Sequence, residues 1–144
     1  MKKRRVTIEL RSVIDDAGEK ELHIVKQKGY YFKRGHIEVL TYDEKVENDE
    51  EISNLITITP NKVNINRSGA FTMNQQFLLG KKTECLYQHP YGNIHMEIKT
   101  SSITYNSISN HRDGQLVIIY EATLNGQQMR NHHITLTYSE GDKL

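Results

Sequence analysis

Arg67 is the residue with the clearest chemical potential in this sequence. It follows Val63 and Ile65 at alternating positions, so a strand that buries those two aliphatics also carries the guanidinium inward. An inward guanidinium needs carboxylate, carbonyl or hydroxyl partners, because an unpaired buried charge is expensive. Its planar fork suits an anionic group on a ligand; the competing reading is a structural arginine satisfied within the protein. Cys85, Tyr87 and His89 share one face of another strand and suggest a nucleophile with its base. Spacing argues against that chemistry, since four residues along a strand span roughly 13 Å, whereas proton transfer needs about 3 Å. The seven histidines raise the question of a metal. His132 and His133 are adjacent, so on a strand they point to opposite faces, and His89 and His95 are also expected on opposite faces. No Cys pair, glycine-rich phosphate loop or Gly-Lys-Ser/Thr sequence is present. The residues therefore predict no catalytic set, no metal and no cofactor.

The elements that position these side chains are strands. Val6, Ile8 and Leu10 alternate with polar residues, and Asp15-Asp16-Ala17-Gly18 turns the chain. Leu22 and Ile24 restart the alternation, with a bend or bulge expected at Gly29. Ile37 and Val39 mark a third strand, Ile52, Ile56 and Ile58 a fourth, and Pro60-Asn61 a turn into the strand that delivers Arg67. Ser68-Gly69 reads as the next tight turn, followed by alternating residues as far as Leu79, a Gly80 turn, and another strand up to Pro90-Tyr91-Gly92. Ile94, Met96 and Ile98 oppose His95, Glu97 and Lys99, with a kink expected at Ser101-Ser102. Leu116, Ile118, Tyr120 and Ala122 and then Ile134, Leu136 and Tyr138 form the last pair. A two-residue Asn125-Gly126 turn would place the apolar face of one beside the polar face of the other. The expectation is a three-residue loop or a bulge that brings Ile118 opposite Ile134. About eight to ten short strands in series predict an all-β antiparallel meander that closes, or nearly closes, into a barrel.

Arg67, Gly69, Phe77, Gly80, Tyr87 and the Pro90-Tyr91-Gly92 turn form a pattern that resembles the YwiB-like family of small bacterial proteins. The resemblance covers most of the chain, most strongly from about Ser53 to Tyr120, and implies a calycin-like (lipocalin-like) β-barrel with no established function. Two hallmarks of lipid-carrying barrels are missing. The chain has no Trp for a Gly-x-Trp motif, and Arg130 is followed by Asn131 and His132 rather than by the Arg-x-Tyr clamp. Fold analogy alone does not license lipid binding.

At 144 residues the chain fits a single domain, 1–144. A net charge of +1 argues against a dedicated nucleic-acid binder. Lys2, Lys3, Arg4 and Arg5 form a basic start, and Asp43-Glu44 through Glu51 an acidic loop, each read as solvated. No apolar run approaches the ~20 residues of a membrane helix, no signal-peptide core follows the basic start, and the single Cys85 points to a reducing compartment. The expected location is cytoplasmic. Homo-oligomerisation is not readable from the sequence.

The leading functional reading is a non-enzymatic binder of a small amphipathic or anionic ligand in the barrel. Arg67, Tyr87 and His132 would be its polar contacts and Phe71, Met73 and Phe77 its apolar walls. The alternative is a filled barrel acting through its surface, as an interaction module or homodimer. The lumen discriminates between them, because a cavity of a few hundred Å³ favours a ligand.

Overall fold

A computed structural model of the protein describes residues 3–46 and 49–140. The described residues form ten strands: β1 (Arg4–Asp16), β2 (Glu19–Arg34), β3 (Ile37–Lys45), β4 (Glu51–Thr59), β5 (Lys62–Gly69), β6 (Met73–Leu78), β7 (Lys82–His89), β8 (Gly92–Asn106), β9 (Gly114–Leu124) and β10 (Met129–Glu140). They lie in the order β6-β5-β4-β3-β2-β1-β10-β9-β8-β7, every ladder antiparallel. This is a meander in which the first and last strands pair, so the remaining seam falls between β6 and β7.

That seam is stitched at both ends. Thr72 and Gln88 exchange two backbone hydrogen bonds, of 3.0 and 2.8 Å. At the other end the Gly80 N–H donates to the Thr100 carbonyl at 2.9 Å, and between them the Thr83 hydroxyl donates to the Gln76 carbonyl. The barrel is nearly closed, with β6 and β7 facing each other across the seam without a ladder of their own.

The inward faces supply the core: Val6 and Ile8 from β1, Leu40 from β3, Ile56 and Ile58 from β4, Val63 from β5, Phe77 from β6, and Ile118, Leu136 and Tyr138 from β9 and β10. The clean alternation of β8 appears as expected, with Ile98 fully buried, and the only register shift of the β8–β9 ladder falls between Thr100 and Ser102, where the kink was expected. The last hairpin has the expected register, with residues 125–128 between its strands. Met129 pairs with Thr123, Ile134 with Ile118 and Leu136 with Leu116, while Asn125 and Gly126 take positive φ of 50° and 70°.

Four expectations are corrected. Ser68 and Gly69 are not a turn but the end of β5, paired with Ser53 and Ile52, and the turn falls on residues 70–72. Gly29 carries no bulge: its pairings to Val6 and Tyr42 are in unbroken register, and a side chain there would meet the Thr41 carbonyl oxygen at 2.1 Å. In β3 the inward face is Glu38, Leu40, Tyr42 and Glu44, not Ile37 and Val39, because carboxylates at both ends disguise it. Leu22 and Ile24 face outward and are 53% and 47% exposed, while His23 and Val25 turn inward.

The charge clusters also divide. Arg4 pairs with Glu140 rather than with the acidic run, and Glu44 of that run lies inside the barrel. Lys2 and Glu47 lie outside the described residues.

Candidate functional site

The β2–β3 ladder stops at Gly29–Tyr42, and from there β2 continues toward Glu19 on β1. The wall parts at this point, and both lips line a cavity of about 360 Å³. Its apolar side is built by Leu10 and Ile14 of β1, Val25 of β2, Ile65 of β5, Met73 of β6 and Ile134 of β10. Its polar side is one row of directly opposed residues on neighbouring strands: Tyr42 faces Asn54, Asn54 faces Arg67, and Arg67 faces Met73.

Within that row the polar groups satisfy one another. Arg67 donates from Nε to Asn54 Oδ1 at 3.0 Å and from Nη2 to Glu44 Oε1 at 3.1 Å. Asn54 Nδ2 donates to the same Glu44 oxygen at 2.9 Å. The Arg67 and Glu44 side chains are 26% and 14% exposed, so the pair is largely withdrawn from water. Phe71, in the turn after β5, lies over the guanidinium with 4.8 Å to the ring centroid, a cation–π contact. Tyr42 is buried, and its hydroxyl is pushed up to about 12 by burial and then by the Glu44 charge. The expected inward, partnered Arg67 is present, and its partner is a carboxylate from the run read as a solvated loop.

His132 and Tyr120 form the opposite wall. They are paired across β9–β10 and stack at 4.7 Å and 19°. Burial, helped by Arg130, lowers the His132 imidazole to about 4. His132 is thus neutral when folded at neutral pH, against an ordinary value near 6.5. Between those two values the unfolded chain binds a proton that the folded chain refuses, so stability is full above about pH 6.5 and declines as pH falls toward 4. Between pH 7.5 and 4.5 the protein should lose about 1–2 kcal/mol more than a His132→Phe variant does. Urea unfolding of both at the two pH values checks this, and equal losses refute it.

Arg67, Met73 and His132 line the cavity together. The other three expected contacts do not. Phe77 is 0% exposed and packs against Tyr120 with the rings tilted by 60° and their centroids 4.8 Å apart, so it fills the core beneath the cavity rather than walling it. Tyr87 and Phe71 stack on each other at 4.8 Å and 17°, beside the Thr72–Gln88 stitch, which consumes both rings in closing the seam. The residues missed were Glu44, Asn54 and Gln75. Asn54 and Gln75 had a readable signal, because each interrupts an inward apolar row, between Ile52 and Ile56 and between Met73 and Phe77.

The far end of the barrel is plugged. Tyr31, Tyr105 and Ser107 all donate to Oε1 of buried Glu38, Tyr105 from 2.9 Å. The Tyr105 and Tyr138 hydroxyls share a hydrogen bond, and Tyr31 stacks on Tyr138 at 5.5 Å. Burial raises the Tyr31, Tyr105 and Tyr138 hydroxyls, which remain protonated donors. The tyrosines here are core plug rather than lumen contacts.

The arrangement offers binding groups rather than a reacting pair. The Cys85 thiol is 8% exposed and raised by burial, the opposite of an activated thiolate. His132 points inward and His133 is exposed, and among the described residues no group of three or more His, Cys, Asp or Glu is placed to hold a metal. Among them also, no helix is long and apolar enough to cross a membrane.

Fold and cavity together define a small all-β protein: a nearly closed ten-stranded antiparallel barrel with a cavity of about 360 Å³ at one end. The chain belongs to the family described as Domain of unknown function (DUF1934), whose model matches residues 8–136. It is 30% identical over 137 residues to the "Uncharacterized beta-barrel protein YwiB" of Bacillus subtilis (strain 168), covering 94% of each chain. The crystal structure of the ywiB protein from Bacillus subtilis matches with a TM-score of 0.86 at 26% identity, over 97% of this chain and 94% of that one.

Proposed function

We propose that the protein is a non-enzymatic binder of a small amphipathic molecule held in the barrel cavity. The observation that carries this reading is the cavity itself. Its volume of about 360 Å³ is within the range of small-molecule sites, and its lining sets an apolar side of Leu10, Ile14, Val25, Ile65 and Ile134 beside the Arg67–Asn54–Glu44 cluster, with Tyr120 and His132 on the opposite wall. The apolar side would hold a short hydrocarbon or ring portion, and the Arg67–Asn54–Glu44 row its polar end. Activated nucleophiles and paired bases are missing from the cavity wall, which fits capture better than turnover.

Mass spectrometry of small molecules released from the native protein, followed by thermal unfolding with each, tests the proposal. A true ligand at a hundred times its Kd should stabilise the fold by about 2.7 kcal/mol and raise Tm by roughly 5–10 °C. Ser12→Phe, which fills the cavity, should abolish the shift while leaving the protein folded. No stabilising compound, together with an unchanged profile for the filled variant, would overturn the reading. The alternative, action through the surface or as a homodimer, is favoured by one observation. The opposed outward residues Leu22, Val13, His133 and Ile119 form a row across four strands, with Leu22 and Ile119 53% and 39% exposed. A concentration-dependent sedimentation coefficient would support it.

A further inference from the structure

We infer that the cavity selects an uncharged or zwitterionic head group over a free carboxylate, and that Glu44 sets this preference. The inference rests on the binding reading above and concerns the chemistry at its polar end. Arg67 is the full-time cation of the cavity wall and would ordinarily be taken as the anchor for an anion. Here its charge is already matched: Glu44 Oε1 lies 3.1 Å from Nη2, and Asn54 ties both residues into one triad. The open face of the guanidinium is occupied by Phe71 at 4.8 Å. An incoming carboxylate would therefore approach a neutral pair. It would meet the Glu44 charge at nearly the same distance as the Arg67 charge, and lose its hydration without a net counter-ion.

His132 does not restore the missing positive charge, because it sits on the opposite wall, stacked flat on Tyr120 and largely buried as a neutral imidazole. His23 at the lip is within 3.6 Å of Glu21, which adds a further carboxylate near the entrance. What the triad leaves unused is complementary: Glu44 Oε2 as an acceptor and Arg67 Nη1 as a donor. A hydroxyl or an amide can use an acceptor and a donor side by side, and a zwitterion can set its cation against Glu44 and its anion against Arg67, whereas a carboxylate can use only the donor. Selection by charge repulsion of this kind is a difference of affinities built against the wrong ligand.

Calorimetric titration of the purified protein at pH 7.5 with octanol, octyl dimethylglycine, octylamine and octanoate tests the inference, on the wild type and on Glu44→Gln. Gln keeps an acceptor for Arg67 and Asn54, and thermal unfolding of the variant confirms that it folds. The wild type should bind octanol or the zwitterion at least about tenfold tighter than octanoate, and Glu44→Gln should improve octanoate by about tenfold or more. Octanoate binding the wild type as tightly as the neutral compounds, octylamine outranking both, or an unchanged octanoate affinity in Glu44→Gln would overturn the inference while leaving the binding reading intact. If the variant does not fold, the wild-type ranking alone decides. If no octyl compound binds either protein, both the inference and the reading beneath it fail.

Discussion

Gly69→Ala should lower the unfolding free energy by about 3–4 kcal/mol, the largest effect expected of any single-methyl addition near the site. Gly69 closes β5 opposite Ile52 with φ of 126°, a region that L side chains rarely adopt. A Cβ there would also lie 2.1 Å from the Glu51 carbonyl oxygen and 3.2 Å from its carbon. Backbone, unlike the end of a long side chain, cannot step aside without breaking the pairing that the Ala70 N–H makes with the same carbonyl. The damage would reach the cavity, because Gly69 lies between Arg67 and the turn that carries Phe71 over the guanidinium. Urea denaturation should show the midpoint falling by more than about 1 M at an unchanged slope. Ser68→Ala, at an exposed neighbouring position, should stay within about 0.5 kcal/mol of the wild type. A loss below 1 kcal/mol for Gly69→Ala would show that the strand end relaxes at little cost.

The same glycine shows where the sequence was legible and where it was not. A Gly after Ser, following an alternating strand, has the composition of a turn, and local signals cannot distinguish a turn glycine from one needed for close approach by a neighbouring strand. That distinction is made by β4, which contacts Gly69 through Glu51, far away in the chain. Elements whose burial alternates cleanly were readable to the residue. β8 and the β9–β10 hairpin are the best cases, because a one-residue slip there would have exchanged core and solvent faces. β3 was misread for the complementary reason. Its inward face begins and ends in Glu38 and Glu44, so the outward Val39, itself only 7% exposed, gave the stronger apolar signal. Each of those carboxylates is tolerated inside because other strands bring it donors: Tyr31, Tyr105 and Ser107 to Glu38, Arg67 and Asn54 to Glu44. A partner supplied by another strand leaves no trace in the local periodicity.

For the candidate site, half of the polar cluster was visible. The Val63-Ile65-Arg67 alternation sends the guanidinium inward, and the barrel does so. Tyr87 and Phe71 are expected from the sequence as ligand contacts, but whether an aromatic lines a lumen or closes a seam depends on where the meander ends meet. That place, between β6 and β7, follows from the whole strand order and not from either strand alone.

The second large effect is expected at the ion pair. Arg67→Met keeps much of the apolar stem but removes three things together: the charge partner of Glu44, the donor to Asn54 Oδ1 and the cation beneath Phe71. Because the Glu44 side chain is only 14% exposed, its stranded carboxylate regains little hydration unless the strand moves. Breaking a well-buried pair from one side typically costs about 3–5 kcal/mol; the partial exposure of Arg67 reduces the expected loss here to about 2–3 kcal/mol. The origin of that loss can be separated from the intrinsic value of the pair. In Glu44→Met combined with Arg67→Met the uncompensated charge is gone, so the double variant should recover at least about 1 kcal/mol relative to Arg67→Met alone. Urea unfolding of the wild type, both single variants and the double variant at one pH gives the full cycle. A double variant whose loss equals the sum of its singles would mean that the two side chains act independently and that the triad does not hold this end of the barrel together. If Arg67→Met instead costs less than about 0.5 kcal/mol and abolishes binding of a neutral amphiphile, the arginine contributes to the ligand and not to the wall.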